Sequence, residues 1–262
     1  MLFYREIEPP VECSHLVSSF WEFTASSEML SPLPHEVLPD GCVSIFYHRN
    51  DHLNLNNILT IGLNHESIKT MVFGGSTYWG MRISPSACAK VLRCEPSNIE
   101  SRPIDTTKEL VHLTENLLEQ LDTCQNFTQA VAVYESLLKR QNLKSTDFDE
   151  KVAKAVRIIE EHKGEIKIAV LAGEVNLSVR QFERRFKQSS GLTPKQYARA
   201  RRIRATAISL VADPTLNLAR RAAAMGFTDQ SHLTHEFVFI TGGSLNSFAE
   251  KVKQIEYGNL IK

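Results

Sequence analysis

A chain of 262 residues with 42% hydrophobic and 23% charged residues is long enough for two domains with separate cores, which excludes the disordered and fibrous classes. No segment approaches the roughly eighteen apolar residues of a membrane helix, and Arg5, Glu6 and Glu8 occupy the start where a secretion signal needs an apolar stretch. The zero net charge conceals a separation: residues 1–150 hold 11 Lys/Arg against 20 Asp/Glu, a net charge of −9, and residues 151–262 hold 19 against 10, a net charge of +9.

These features predict a cytoplasmic protein with a polyanion-binding half joined to a half that stays off polyanions. The five cysteines, Cys13, Cys42, Cys88, Cys94 and Cys124, are odd in number and form no Cys-x-x-Cys pair, which suits reduced, buried thiols.

In chain order, short apolar runs predict strands at Phe20–Ala25, Glu36–Leu38, Val43–Tyr47, Ile58–Leu63, Ile68–Phe73 and Tyr78–Ile83. The clearest turn is Pro39-Asp40-Gly41, because Pro presets φ, Asp bonds its own backbone and Gly tolerates positive φ. A β-sandwich or barrel follows. From Thr106 the apolar period becomes helical, with Leu110, Leu113, Leu117 and Leu121 on one stripe and Ala130, Val133, Leu137 and Leu138 on a second. Those two helices either close the N-terminal core or pair with a second copy, which makes residues 107–140 the candidate homodimer surface. The polar, aperiodic run RQNLKSTDFDE predicts a linker over 141–150, separating a regulatory domain at 1–140 from a second domain at 151–255.

The basic half repeats itself at an offset of 51 residues. Phe186, Gly191, Thr193 and Tyr197 recur as Phe237, Gly242, Ser244 and Phe248, and Ser178 and Phe182 answer to Asp229 and Leu233. Ser178 and Asp229 are both good helix N-caps. Ahead of each capped helix lies another short helix and a tight turn, at Ile168 to Gly173 and at Leu218 to Met225. Helix, turn, capped helix is the helix-turn-helix arrangement, whose second helix enters the major groove. Pro194 and Pro214 bound a connecting helix of about 19 residues, roughly 28 Å long, close to the roughly 34 Å between successive major grooves.

On the first reading helix, Phe182 and Phe186 face inward and leave Arg180, Gln181, Glu183, Arg184 and Arg185 outside. Arginine bonds guanine bidentately and glutamate accepts from cytosine, which makes Arg180, Glu183 and Arg184 the base-reading candidates. Gln181 and Arg185, with Arg201 and Arg202 of the connector, are candidates for phosphates. On the second reading helix Gln230, Ser231, Thr234 and His235 are free to contact bases, while His232 packs or bonds locally. Catalytic and metal roles find no support: Cys13-x-His15 and the pair His48 and His52 lack further ligands at a recognisable interval. No enzyme, cofactor or metal is expected.

The stretch IAVLAGEVNLSVRQFERRFKQSSGLTPKQYARARRIRAT followed by AAAMGFTDQSHLTHEF resembles the DNA-binding domain of the AraC/XylS family of bacterial transcription regulators. The resemblance implies an α+β protein: a β-rich sandwich or barrel-like sensor domain with flanking helices, followed by an all-α domain of two helix-turn-helix units on a long helix. It implies a transcription regulator, an activator, that binds double-stranded DNA sequence-specifically with the base contacts named above. HEVLPDGCVSIFYH and GMRISPSAC look like the sensor domain of a subset of these regulators and imply a small-molecule effector in the N-terminal domain.

Three departures fall in the second unit. Arg221 stands where Ile or Val is usual, Leu245 replaces a Pro, and Val238 and Phe239 replace basic residues. An unpaired buried arginine is costly, so Arg221 is expected to snorkel or find a carboxylate. Val238 and Phe239 suggest an apolar patch for another protein such as RNA polymerase.

Overall fold

The protein is described by a computed structural model over residues 1–64, 66–99 and 102–260. Its first half, together with one strand at residues 255–257, forms a seven-stranded sheet in the order β8-β5-β4-β7-β2-β1-β9 with a separate two-stranded sheet β3-β6. The strands are β1 (Leu2–Ile7), β2 (Val17–Ala25), β3 (Leu33–Val37), β4 (Val43–Asn50), β5 (Leu55–Ile61), β6 (Ile68–Val72), β7 (Thr77–Ile83), β8 (Ile104–Asp105) and β9 (Ile255–Tyr257). Every expected strand is present within a few residues. β1 escapes a pattern search because one of its two buried positions is a carboxylate, Glu6.

One face of the sheet packs Phe20, Ile45, Tyr47, Trp79 and Met81 against helices, and Tyr134 Oη ties the two together by donating to the Trp79 carbonyl at 2.7 Å. After β7 come α1 (Cys88–Leu92), α2 (Thr106–Glu109), α3 (Leu117–Asp122) and α4 (Phe127–Arg140). The expected continuous helix through Leu110 and Leu121 is thus broken. Leu110 leaves the helical region at φ −127° and ψ 52°, and Asn116 turns into the left-handed region at φ 58°, which asparagine tolerates. The four leucines are nonetheless all buried, because the break lets each successive piece turn its apolar side to the same core. Of the second stripe, Ala130, Leu137 and Leu138 are buried in the chain's own core and Val133 packs partly buried against it.

The basic half is α-helical: α5 (Glu150–Glu161), α6 (Ile168–Glu174), α7 (Val179–Ser190), α8 (Pro194–Ala212), α9 (Leu218–Ala224), α10 (Gln230–Thr241) and α11 (Leu245–Val252). The hydrophobic contacts that begin in the sheet run on through Phe148, Val152, Phe182 and Phe186 to Tyr197 and Ala198. A second cluster starts at Ile203 and holds Ala222, Leu233, Phe237 and Phe248. The discontinuity in packing therefore falls in the middle of α8.

The acidic half grips the basic half at several points. Glu6, 1% exposed, takes Arg204 of α8 at 2.5 Å and Arg82 of β7 at 3.0 Å. Glu36 pairs with Lys251 at 2.6 Å, and Ser67 donates from its hydroxyl to the Thr241 carbonyl at 2.7 Å. The chain's end returns as β9, parallel to β1. Pro39-Asp40-Gly41 joins the two sheets, with Asp40 Oδ1 accepting from the Cys42 amide at 2.9 Å. Gly41 holds φ +78° and its α-carbon lies against the ring of Tyr197. All five cysteines carry free thiols; burial pushes Cys42 up to about 12, so it is protonated at neutral pH.

Candidate nucleic-acid interface

The two helix-turn-helix units repeat in atomic detail what the sequence repeats. Ser178 caps α7 in a reciprocal box with Gln181, and Asp229 caps α10 by accepting from the His232 amide at 2.8 Å. Each reading helix ends on a left-handed glycine, Gly191 at φ 81° and Gly242 at φ 66°. Just before that glycine a hydroxyl bonds back into the helix, from Ser190 to the Phe186 carbonyl at 2.8 Å and from Thr241 to the Phe237 carbonyl at 2.9 Å. Phe186 meets Tyr197 with ring centroids 5.7 Å apart, and Phe237 meets Phe248 at 5.5 Å. These equivalent contacts hold each reading helix at a fixed angle to the helix that follows it. Removing the first cap in Ser178→Ala should cost about 1 kcal/mol in denaturant unfolding, and a change below a few tenths would show that the box contributes nothing.

On α7, Phe182 and Phe186 are buried, while Arg180, Gln181, Glu183 and Arg184 are exposed. Arg180 and Arg184 lie one turn apart on the same outward side. The four phosphate candidates are engaged inside the protein. Gln181 Oε1 accepts from the Ser178 amide at 3.2 Å and hydroxyl at 3.0 Å, and Arg185 pairs with Asp149 at 2.5 Å. The Arg201 side chain is 10% exposed and points at Glu160, 3.8 Å away. Arg202 bonds the Gly164 carbonyl at 3.2 Å and lies over the Phe227 ring, 5.2 Å from its centroid.

On α10, Gln230, Ser231 and His235 are exposed. Thr234 is half-buried, and its hydroxyl donates to the Gln230 carbonyl at 2.8 Å. His232 is held locally, with Nδ1 3.2 Å from the Thr228 hydroxyl and its ring edge-on to Phe227.

Arg221 corrects the expectation drawn from sequence. It is fully buried, pairs with no carboxylate among the described residues, and donates to Ser209 Oγ at 2.6 Å and to the carbonyls of Asp213 and Leu216 at 2.6 and 3.1 Å. Those groups lie at and just beyond the C-terminus of α8, where helix carbonyls lack partners and a cation is favoured. The signal missed in the sequence is the spacing of Arg221 from Pro214, which places it beside that helix end. Leu245 opens α11 and is buried, with Ser244 supplying the cap. Val238 and Phe239 are exposed, and Arg199 lies over the Phe239 ring, 4.8 Å from its centroid, while forking onto Glu236 at 2.9 and 3.1 Å.

Residues 171–251 match a family described as a helix-turn-helix domain. The C-terminal region is thus a helix-turn-helix domain. The helix-turn-helix domain follows a β-rich N-terminal domain. Residues 5–105 of that N-terminal part match a domain of unknown function (DUF6597). No curated protein matches the sequence.

Solved structures that align with the chain include the C-terminal domain of AraT, a response regulator from Geobacillus stearothermophilus, at 20% identity and a TM-score of 0.37 over 39% of this chain and 86% of that one. A transcriptional regulator from Chromobacterium violaceum aligns at 24% identity and a TM-score of 0.36 over 40% and 94%. ToxT from Vibrio cholerae aligns at 12% identity and a TM-score of 0.44 over 84% and 97%. No described helix is long and apolar enough to cross a membrane, and no group of three or more His, Cys, Asp or Glu among the described residues is placed to hold a metal ion.

Proposed function

We propose that the AraC-type domain reads two successive major grooves of double-stranded DNA with α7 and α10, and that the N-terminal domain governs this activity in response to a small molecule, the protein acting as an activator. The observation that carries the reading is the pair of exposed arginines on α7, one turn apart on a helix whose cap and inner face are fully satisfied. Arg180 and Arg184 are the guanine readers and Glu183 the cytosine acceptor, since no hydrogen bond or ion pair among the described residues uses their side-chain ends. The 19 residues of α8 span roughly 28 Å, which suits units addressing adjacent grooves. Gln230, Ser231, Thr234 and His235 of α10 read bases more weakly, as neutral groups of which one, Thr234, is already hydrogen-bonded.

Binding of a labelled promoter fragment across a salt series tests the reading. A reader making several phosphate contacts loses affinity steeply with salt, and the absence of binding at any salt would overturn it. Arg184→Ala should weaken specific binding by about 1 to 3 kcal/mol and relax preference at one base pair. Equal loss on specific and random DNA would sink the base-reading role.

A second reading is favoured by one observation, the exposed Val238 and Phe239 on α10. In it the second unit contacts a protein such as RNA polymerase, and Phe239→Ser abolishes activation in transcription assays while leaving promoter affinity intact.

A further inference from the structure

The two helix-turn-helix units are anchored to the N-terminal domain in different ways. The first shares a core with it: Phe182 and Phe186 of α7 belong to the hydrophobic cluster that begins in the sheet. The second has a core of its own around Leu233, Phe237 and Phe248, and α8 is the helix common to both units. Units with separate cores move relative to one another unless a further contact holds them.

Ser67 supplies that contact. It stands one residue before β6, where Ile68 is paired with Val37 of β3. Its amide donates to the Ile240 carbonyl at 3.0 Å and its hydroxyl to the Thr241 carbonyl at 2.7 Å. These carbonyls close α10, at the end where a helix leaves its last carbonyls without partners. The hydroxyl also lies 2.6 Å from Glu36 Oε1, and the other oxygen of Glu36 takes Lys251 of α11 at 2.6 Å. Four positions before Ser67, Leu63 packs where α7 ends. A methyl group on Gly191 would come within 2.5 Å of the Leu63 side chain and 3.0 Å of Pro96.

We propose that Ser67 is a positioning residue for DNA binding: it holds the end of α10 at a fixed place relative to the end of α7, and so makes the protein selective for the spacing between its two half-sites. Leu63 and Ser67 touch the C-terminal ends of the two reading helices. Arg180 and Arg184 on one helix and Gln230 and Ser231 on the other, toward the opposite ends, stay exposed. The hold therefore costs the reading surface nothing.

The consequence for spacing rests on the two-groove reading above. One base pair inserted between the half-sites displaces the second by about 3.4 Å and turns it by about 34°. A reader with its units held must give up contacts to one half-site. A loose pair follows the displaced half-site and loses only effective concentration.

The test uses the full chain with Ser67→Ala, which removes the hydroxyl and keeps the amide, and Ser67→Thr, which keeps both. Wild-type affinity for a footprinted promoter fragment should fall about tenfold or more when one base pair is inserted between the half-sites, and that of Ser67→Ala about threefold or less. Ser67→Thr should behave as wild type. A DNA-free measurement accompanies it: spin labels at Gln188→Cys on α7 and Val238→Cys on α10, both exposed, in a Cys94→Ser background where the other thiols are buried. The distance distribution should be narrow in the wild type and Ser67→Thr and about twice as broad in Ser67→Ala.

Equal widths overturn the hold, whatever the DNA result. Loss of the same factor on both fragments in Ser67→Ala overturns the positioning role, since a merely structural defect leaves the ratio unchanged. Wild-type indifference to the insertion overturns the selectivity. Failure of the two-groove reading is recognised separately, as absence of wild-type binding to either fragment, and the label distances then still decide whether Ser67 holds α10.

Discussion

Glu6→Ala should lower the unfolding free energy by about 3 to 5 kcal/mol, the cost of stranding a buried charge whose partner has been removed. The carboxylate is 1% exposed and faces Arg82 and Arg204, whose side chains are 11% and 14% exposed, with Tyr4 Oη also donating to it. Arg82 keeps Asp40 when Glu6 is lost; Arg204 keeps no carboxylate that the structure places beside it. The double variant Glu6→Ala/Arg204→Met should therefore recover much of the loss, since no unpaired cation then remains. Denaturant midpoints of the two variants measure this, and a single variant within 1 kcal/mol of wild type would show that the pair is worth little.

The same group predicts how stability changes in acid. Burial by itself would raise its pKa, but Arg204 and then Arg82 outweigh burial and lower it from 4.5 to about 2. A carboxyl group whose pKa is depressed on folding contributes stability that is present above its unfolded value and lost as pH falls through its folded value. The contribution, about 3 kcal/mol from a shift of this size, should disappear between pH 4.5 and 2 in the wild type. In Glu6→Ala that part of the acid dependence should be missing.

The second large effect is expected at Gly41. Its φ of +78° disfavours any side chain by about 1 to 2 kcal/mol, and a methyl group there would overlap the ring of Tyr197, which is itself fully buried. Overpacking a site that cannot yield adds about 1 to 3 kcal/mol, so Gly41→Ala should cost about 2 to 5 kcal/mol in all. The strain acts on the contact between the N-terminal domain and α8. The variant should therefore become more sensitive to proteases between residues 140 and 150 before it loses either domain's secondary structure. Gly173→Ala is the control: it lies in α6 with nothing within 4 Å of the added methyl, and should stabilise by up to about 1 kcal/mol. Equal behaviour of the two variants would refute the role given to Gly41.

These two residues show where reading along the chain stops being sufficient. Pro39-Asp40-Gly41 is legible as a turn from its three residue types, but its contact with Tyr197 joins positions some 150 residues apart in sequence. Glu6 reads as an ordinary polar residue near the start of the chain. Its burial depends on Arg204, and no local pattern connects them. The connector arginines carry the same lesson. Arg199, Arg201, Arg202 and Arg204 form a basic run in sequence, yet each is answered in the fold, by Glu236, Glu160, the Gly164 carbonyl and Glu6 respectively.

Features that depend on near neighbours in the chain are written in the residue order. They are the caps at Ser178 and Asp229, the left-handed glycines that end α7 and α10, the inward phenylalanines, and hence the outward placement of Arg180 and Arg184. Capping and helical periodicity are local physics, so the reading helices and their exposed faces are legible in the residue pattern alone. The break in the helix at Asn116, the burial of Arg221 on the carbonyls that end α8, the grip of Glu6 on α8 and the bonds of Ser67 to the end of α10 are settled instead by the packed chain. Each of them depends on which surfaces are desolvated against one another, and desolvation is a property of segments far apart in sequence brought into contact.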